Sequence, residues 1–198
     1  SSNIKINNLY QDGLQRDQFI PFIKILENNC HQEELIIDED YRTSKNIDLK
    51  RYLAPIDKST NFIFNKFFRK VTKTKTKTKK DLEIKGRKLA IDNFYDGVAK
   101  FNFNELCDKN LGSEDYINIA NNCDFIFIEN LPDFNDNNSN QQHRFITLID
   151  ILYEKKVSLM ISIESKLDFL TSSENLSKTF KRTTSRLFEL TSPQNNFF

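Results

Sequence analysis

The chain has 198 residues, 29 Lys and Arg against 28 Asp and Glu, a net charge of +1, 38% hydrophobic residues and 18 Phe with no Trp. That is the composition of a soluble globular protein with room for one domain or one and a half. A near-neutral balance leaves no global field to draw the chain to nucleic acid or an anionic membrane, no run reaches the ~18 apolar residues of a membrane span, and no charged-then-apolar leader opens it.

Leu9-Tyr10-Gln11-Asp12-Gly13-Leu14-Gln15-Arg16 leads into an amphipathic helix predicted from about Phe19 to Glu27, with Phe19, Phe22, Ile23 and Leu26 as its apolar stripe. Pro21 is expected in the first turn, where its missing N–H has no partner to lose. Gly13 supplies a sharp turn, so Arg16 projects from a helix start. Leu35-Ile36-Ile37 and Arg51-Tyr52-Leu53-Ala54-Pro55 read as short strands, the second stopped by proline. Ser59 is the expected cap of a helix through Arg69, with Phe62, Ile63 and Phe67 on one face.

Val71 to Lys80 alternates Thr and Lys, which puts every lysine on one face if the segment is extended. Without an interleaved aromatic to stack a base, it reads as a solvated edge strand or loop rather than a phosphate-binding one. Leu82 to Phe103 alternates around Lys85-Gly86 and Asp96-Gly97, the pattern of a small antiparallel sheet. Asn104 is the predicted cap of a short turn through Cys107, and Ser113 that of a helix to about Asn121 facing Tyr116, Ile119 and Ala120 inward. Phe125-Ile126-Phe127-Ile128, the helical stripe Phe145, Leu148, Ile149 and Leu152 (with Ser139 and Gln142 at capping-box spacing), and Val157 to Ile163 spell a βαβ crossover. A last helix from about Ser177 to Leu190 carries Arg182 and Arg186 on one face.

The parallel unit points to an α/β architecture whose ligands sit at the carboxyl ends of strands, where Glu129-Asn130 and Glu164-Ser165 fall. Yet Gly13, Gly86, Gly97 and Gly112 build no G-x-x-x-x-G-K-[ST], no G-x-G-x-x-G and no G-x-S-x-G. His31 and His143 lie near no convincing nucleophile, so a hydrolytic triad has no support. Cys30, Cys107 and Cys123 lack metal-ligand spacing, even with Cys30 beside His31; reduced thiols packed as small hydrophobes in a reducing cytosol, and no metal, are expected.

Residues 9–16 with Phe19 to Ile23 resemble the "LYxxGLQRxxFLPFI" segment of the ZapE-type, AFG-like P-loop ATPases. Asp40-Tyr41-Arg42 with Arg51-Tyr52-Leu53, Gly97 to Phe101 with Phe103 and Glu105-Leu106-Cys107, Leu111 to Tyr116, Arg144 to Asp150 with Leu152-Tyr153, and Arg182-Thr183 with Ser185-Arg186-Leu187 and Glu189 resemble further blocks of that family, in order. The resemblance implies an AAA+-related ATPase using ATP and Mg, of which this chain looks like the C-terminal half. Ser1-Ser2-Asn3 would end the sensor-1 strand, Asn3 being the sensor-1 residue. Arg16 would be an arginine finger offered to a neighbouring subunit, and Arg182 or Arg186 the sensor-2 contact to ATP phosphates.

On that basis the fold class is α/β, with three parts. Residues 1–30 hold the sensor-1 end and finger helix. Residues 31–112 form a β-rich insertion with a basic Thr/Lys loop, and residues 113–198 the βαβ unit and a sensor-2-like helix. Lacking Walker A and Walker B, the chain alone is expected not to bind ATP tightly. The resemblance implies as partners an N-terminal ATPase half or neighbouring subunit, with a homo-oligomer as one assembly, and a protein substrate. For bacterial members that is the division-ring protein FtsZ, in the cytoplasm; mitochondrial members act at the inner membrane. Two other readings are a non-catalytic interaction module and, weakest, a nucleic-acid binder using Lys73 to Lys80.

Overall fold

The computed structural model describes residues 16–29 and 51–192. Its helices are α1 (Arg16–Asn29), α2 (Lys58–Thr72), α3 (Phe103–Cys107), α4 (Ser113–Asn122), α5 (Ser139–Glu154) and α6 (Ser177–Leu190). Its strands are β1 (Tyr52–Leu53), β2 (Lys77–Ile84), β3 (Arg87–Tyr95), β4 (Val98–Asn102), β5 (Phe125–Leu131) and β6 (Ser158–Ile163). The strand predicted at Leu35–Ile37 and the Ser1-Ser2-Asn3 and Asp40–Arg42 blocks lie outside the described residues, as do Gly13 and the Cys30-His31 pair. Contacts divide the chain into two compact units, residues 1–41 and 42–198.

In the first unit, α1 begins at Arg16, with Asp17 in the first turn where a carboxylate suits the helix dipole. Ile23 is buried and Phe19 and Leu26 are half-buried, but Phe22, expected in the same stripe, is exposed. Pro21 lies in the second turn, not the first, because the helix starts three residues earlier than its apolar pattern does. Its ring therefore replaces an N–H that would have reached the Asp17 carbonyl.

In the second unit the described strands form one six-stranded sheet, ordered β1-β6-β5-β4-β3-β2. β1, β6, β5 and β4 are parallel; β3 and β2 continue the sheet antiparallel. The fold is α/β, as its sequence predicts, and the β5-α5-β6 crossover is present. The parallel part is wider than the sequence suggests. β4 pairs with β3 at only two positions but with β5 along Val98–Asn102, so it belongs to the parallel core rather than to a separate antiparallel sheet. The Thr/Lys segment ends as β2, the sheet's edge, where Lys77 and Lys79 are exposed and Lys79 pairs with Asp92. Lysines on an edge strand oppose pairing with another chain. Two-residue turns close both hairpins, with Lys85-Gly86 and Asp96-Gly97 at positive φ throughout.

The sheet's faces are unequally covered. Ile126, Ile128, Leu159, Ile161 and Ile163 pack against α3–α6 through Leu106, Ile119, Phe145, Leu148, Ile149, Leu152 and Leu187. The opposite face, Val98, Phe125, Phe127 and Met160, meets α2 through Phe64 and Phe68. The predicted α2 face was wrong: Phe62 and Ile63 are exposed and Phe67 only half-buried. Asp57, not Ser59, caps the helix, its Oδ1 accepting the Thr60 N–H at 2.7 Å. That bond to the ionised form holds the Asp57 carboxyl below its ordinary pKa.

Three smaller cap expectations also change. Asn102, with Glu105 completing a capping box, starts α3, and Gly112 starts α4. At α5 no side-chain cap forms: Gln142 is buried instead, its amide bonding Ser172 Oγ (2.6 Å) and accepting the Ser173 N–H (3.0 Å). α6 has the predicted bounds.

Candidate functional site

β4, β5 and β6 succeed one another across the sheet, and α3–α6 cover a single face. β1 lies beside β6, but the helix that follows it, α2, covers the opposite face. The chain thus leaves β1 and β6 towards opposite faces. In open α/β sheets this reversal opens a crevice at the strands' carboxyl ends, the usual place for a ligand.

Around that edge lie Ala54–Asp57 after β1, Glu129-Asn130 on β5 and Glu164-Ser165 after β6. β5 is irregular there: its register with β6 shifts between Ile128 and Leu131, and Asn130 sits at φ 63°. Lys100 Nζ reaches from β4 to Glu129 Oε1 (2.8 Å) and Asn65 Oδ1 of α2 (2.9 Å), above the Phe64 and Phe68 rings. Its charge is thereby paired, hydrogen-bonded and set over aromatic faces, the conditions under which a lysine tolerates burial. Glu164 Oε2 accepts the Asp133 N–H (3.1 Å), Ser165 Oγ donates to Asp133 Oδ2 (2.6 Å), and Ser162 Oγ accepts the Asn130 N–H (2.9 Å). The carboxyl edge is rich in acceptors that mostly brace its own loops.

A triphosphate needs the opposite: a concave run of backbone N–H groups backed by a cation. The described glycines are otherwise occupied. Gly86 and Gly97 turn hairpins, and a Cβ on Gly97 would collide with Asp124 Oδ2. Gly112 caps α4, its N–H held by Asp115 Oδ2 at 2.8 Å. The described residues therefore do not fit an ATP phosphate cradle, and no step through the nucleotide follows from their geometry.

The four residues singled out by resemblance fall in three parts of the chain. Asn3 lies outside the described residues, and Arg16 is the first residue of α1. Arg182 and Arg186 come together on α6, but against a carboxylate of their own chain. Arg182 Nη2 donates to Asp150 Oδ2 (2.8 Å), Arg186 Nη1 to Asp150 Oδ1, and Arg186 lies 4.8 Å from the Tyr153 ring centroid. α5 runs back from the carboxyl ends of the strands, so Asp150, in its last turns, brings this cluster towards the amino-terminal edge. Arg182 remains 58% exposed against 21% for Arg186.

Sequence reasoning missed Lys100, although one lysine in the apolar run Val98–Phe103 is the kind of charge that needs a buried partner. It also missed Asp115, 1% exposed and bonded by Arg87 Nη2, because a carboxylate in a helix's first turn normally marks a solvated cap.

The profile of the AFG1-like ATPase family matches residues 1–196. Lactation elevated protein 1 homolog B of Danio rerio is 32% identical over 176 residues, 86% of this chain and 34% of its own length. The cell division protein ZapE of Escherichia coli strain K12 is 28% identical over 194 residues, 98% of this chain and 52% of its own. The chain thus spans about a third to a half of these relatives. No solved structure matches it significantly. With the match running through nearly every residue, the chain belongs to the AFG1-like ATPase family.

Proposed function

We propose that this chain completes the nucleotide site of an AFG1-like ATPase rather than holding the nucleotide itself. One observation carries the reading: the family match covers residues 1–196, while the same residues contain no phosphate-cradle motif and their described glycines serve turns and a cap. ATP and Mg then bind to a segment that carries the cradle, in the same polypeptide or a neighbouring subunit. Arg16, fixed at the start of α1, is the finger that neutralises charge on the transferring phosphoryl group. A guanidinium suits that task through its planar fork of donors. Asn3 acts as the sensor beside the phosphate. Arg182, the more exposed of the Asp150 pair, is the better candidate for the second sensor, exchanging a carboxylate for a phosphate.

The substrate in this reading is a protein. The likeness to a cell division protein supports the division ring as one such partner, with the chain on the cytoplasmic side. No helix among the described residues is long and apolar enough to cross a membrane. A second reading, a non-catalytic interaction module, draws on the exposed Phe62 and Ile63 of α2.

Titration of the chain with a fluorescent ATP analogue is expected to show no saturation in the micromolar range; micromolar affinity overturns the proposal. In an ATPase assembled with the cradle-bearing segment, Arg16→Ala should leave ATP binding intact and slow turnover by about 10³–10⁵. Unchanged turnover removes Arg16 from that role and favours the interaction module.

A further inference from the structure

At the amino-terminal edge of the sheet, opposite the crevice between β1 and β6, a cavity of about 310 Å³ opens among Arg51, Tyr153, Lys156, Ser158, Glu189 and Ser192. Two of its lining groups are anomalous. Ser158, the first residue of β6, is 3% exposed, yet its Oγ has no hydrogen-bond partner. Arg51 Nε is likewise buried and unpartnered, although Arg51 Nη2 donates to the Ser192 carbonyl and the guanidinium lies 5.3 Å from the Phe125 ring centroid. Buried donors are almost always satisfied, so two orphans just beneath the wall of one cavity, on residues that line it, call for a missing acceptor.

The charge around the cavity says what kind. Arg51 and Lys156 are cations, and a guanidinium stays charged even where burial lowers its pKa, as here. Glu189 is the one carboxylate among the lining residues, and its Oε2 is engaged by the Tyr153 hydroxyl at 2.6 Å. Lys156 is held at φ 56° between α5 and β6, which fixes its Cα at the cavity. The residues around the cavity therefore carry a guanidinium N–H, a hydroxyl and an ammonium, all donors, and give it a net positive lining. Its volume is at the lower end of the range for small-molecule sites.

We propose that this cavity binds a small oxyanion, the phosphate or carboxylate group of a small molecule, through Arg51 Nε, Ser158 Oγ and Lys156 Nζ. The proposal does not rest on the nucleotide role given to Arg16, Asn3 and Arg182, although Tyr153 of the cavity wall also meets Arg186.

The test is an NMR titration of the isotope-labelled chain with sodium phosphate and, separately, sodium acetate, each against sodium chloride at matched ionic strength. Saturable shifts of the Ser158 amide and the Arg51 Nε–H with either oxyanion are expected, and the ranking of the two identifies the preferred group. Ser158→Ala should weaken binding about tenfold, the cost of one charge-assisted hydrogen bond, while Tm stays the same or rises because an unsatisfied hydroxyl has been removed. Lys156→Gln, at an exposed position, should weaken binding without unfolding the chain. Shifts that match those in chloride, no saturation with either oxyanion, or affinity indifferent to Ser158→Ala overturns the proposal.

Discussion

Single residues decide how this fold tolerates buried polarity. Asp115 is buried on α4, where Arg87 crosses from β3 to meet it and the Gly112 N–H adds a second donor. Arg87→Ala strips the charged donor and should lower unfolding free energy by about 1–3 kcal/mol in urea titrations; no change would show that solvent replaces the arginine. Cys107 and Cys123 behave as core hydrophobes. Burial pushes the Cys123 thiol up to about 12 and the Cys107 thiol well above its ordinary value. Folding thus favours both protonated forms, a stabilisation present below the unfolded thiol pKa and lost as pH rises past it. Stability should fall as pH climbs from about 9 towards 12, and less steeply in Cys123→Ala. In a Cys30→Ser background, a thiol-specific disulfide reagent at pH 8 should label neither residue until the chain unfolds; rapid labelling of the native protein contradicts their burial.

At the scale of elements, α2 and α5 show how far periodicity carries. The α5 stripe of Phe145, Leu148, Ile149 and Leu152 is fully buried as its spacing predicts, because the helix lies across a continuous apolar sheet face. Phe145 touches the rings of Phe103 and Phe134, so Phe145→Ala should cost about 3–5 kcal/mol by chemical denaturation. α2 has five aromatic or aliphatic residues between Phe62 and Phe68, so an i, i+4 pair can be drawn on more than one face. The structure buries Phe64 and Phe68, edge-on to Phe127. Phe64→Ala should therefore destabilise by about 3–5 kcal/mol, whereas Phe62→Ser should stay within about 0.5 kcal/mol. Equal losses at the two sites would mean that α2 packs with the other face. The caps follow the same logic: Asp57, Asn102 and Gly112 each precede the residue expected from sequence, since several polar residues sit in register before each helix and only the backbone path selects one.

Across the whole molecule, the crossover between two largely apolar strands was legible because such runs have few homes other than the middle of a parallel sheet. The wider parallel core was not, because β4 follows a hairpin turn and reads locally as a third antiparallel strand. Its second partner, β5, is more than twenty residues away, and sequence carries no mark of that pairing. The candidate sites divide in the same way. Family-like motifs point to Arg16, Arg182 and Arg186, but nothing in their spacing announces that Asp150 joins the two α6 arginines. Asp150→Asn should free both and, if Arg182 serves a phosphate, strengthen nucleotide contact in the assembled ATPase; weaker contact instead would show that Asp150 aligns the arginine for its task.

The sequence by itself determined the class of the fold, the bounds of α6, the buried stripe of α5, the edge character of the Thr/Lys segment and the family, because each is written in local periodicity, composition or ordered motifs. Only the tertiary structure decided which strands are neighbours, which face of α2 is inside, and that Arg51, Lys156 and Ser158 line one cavity. The physical reason is common to all three. They depend on groups far apart in the chain meeting through the sheet, and a desolvated charge or an unsatisfied hydroxyl acquires its meaning only from what the fold places around it.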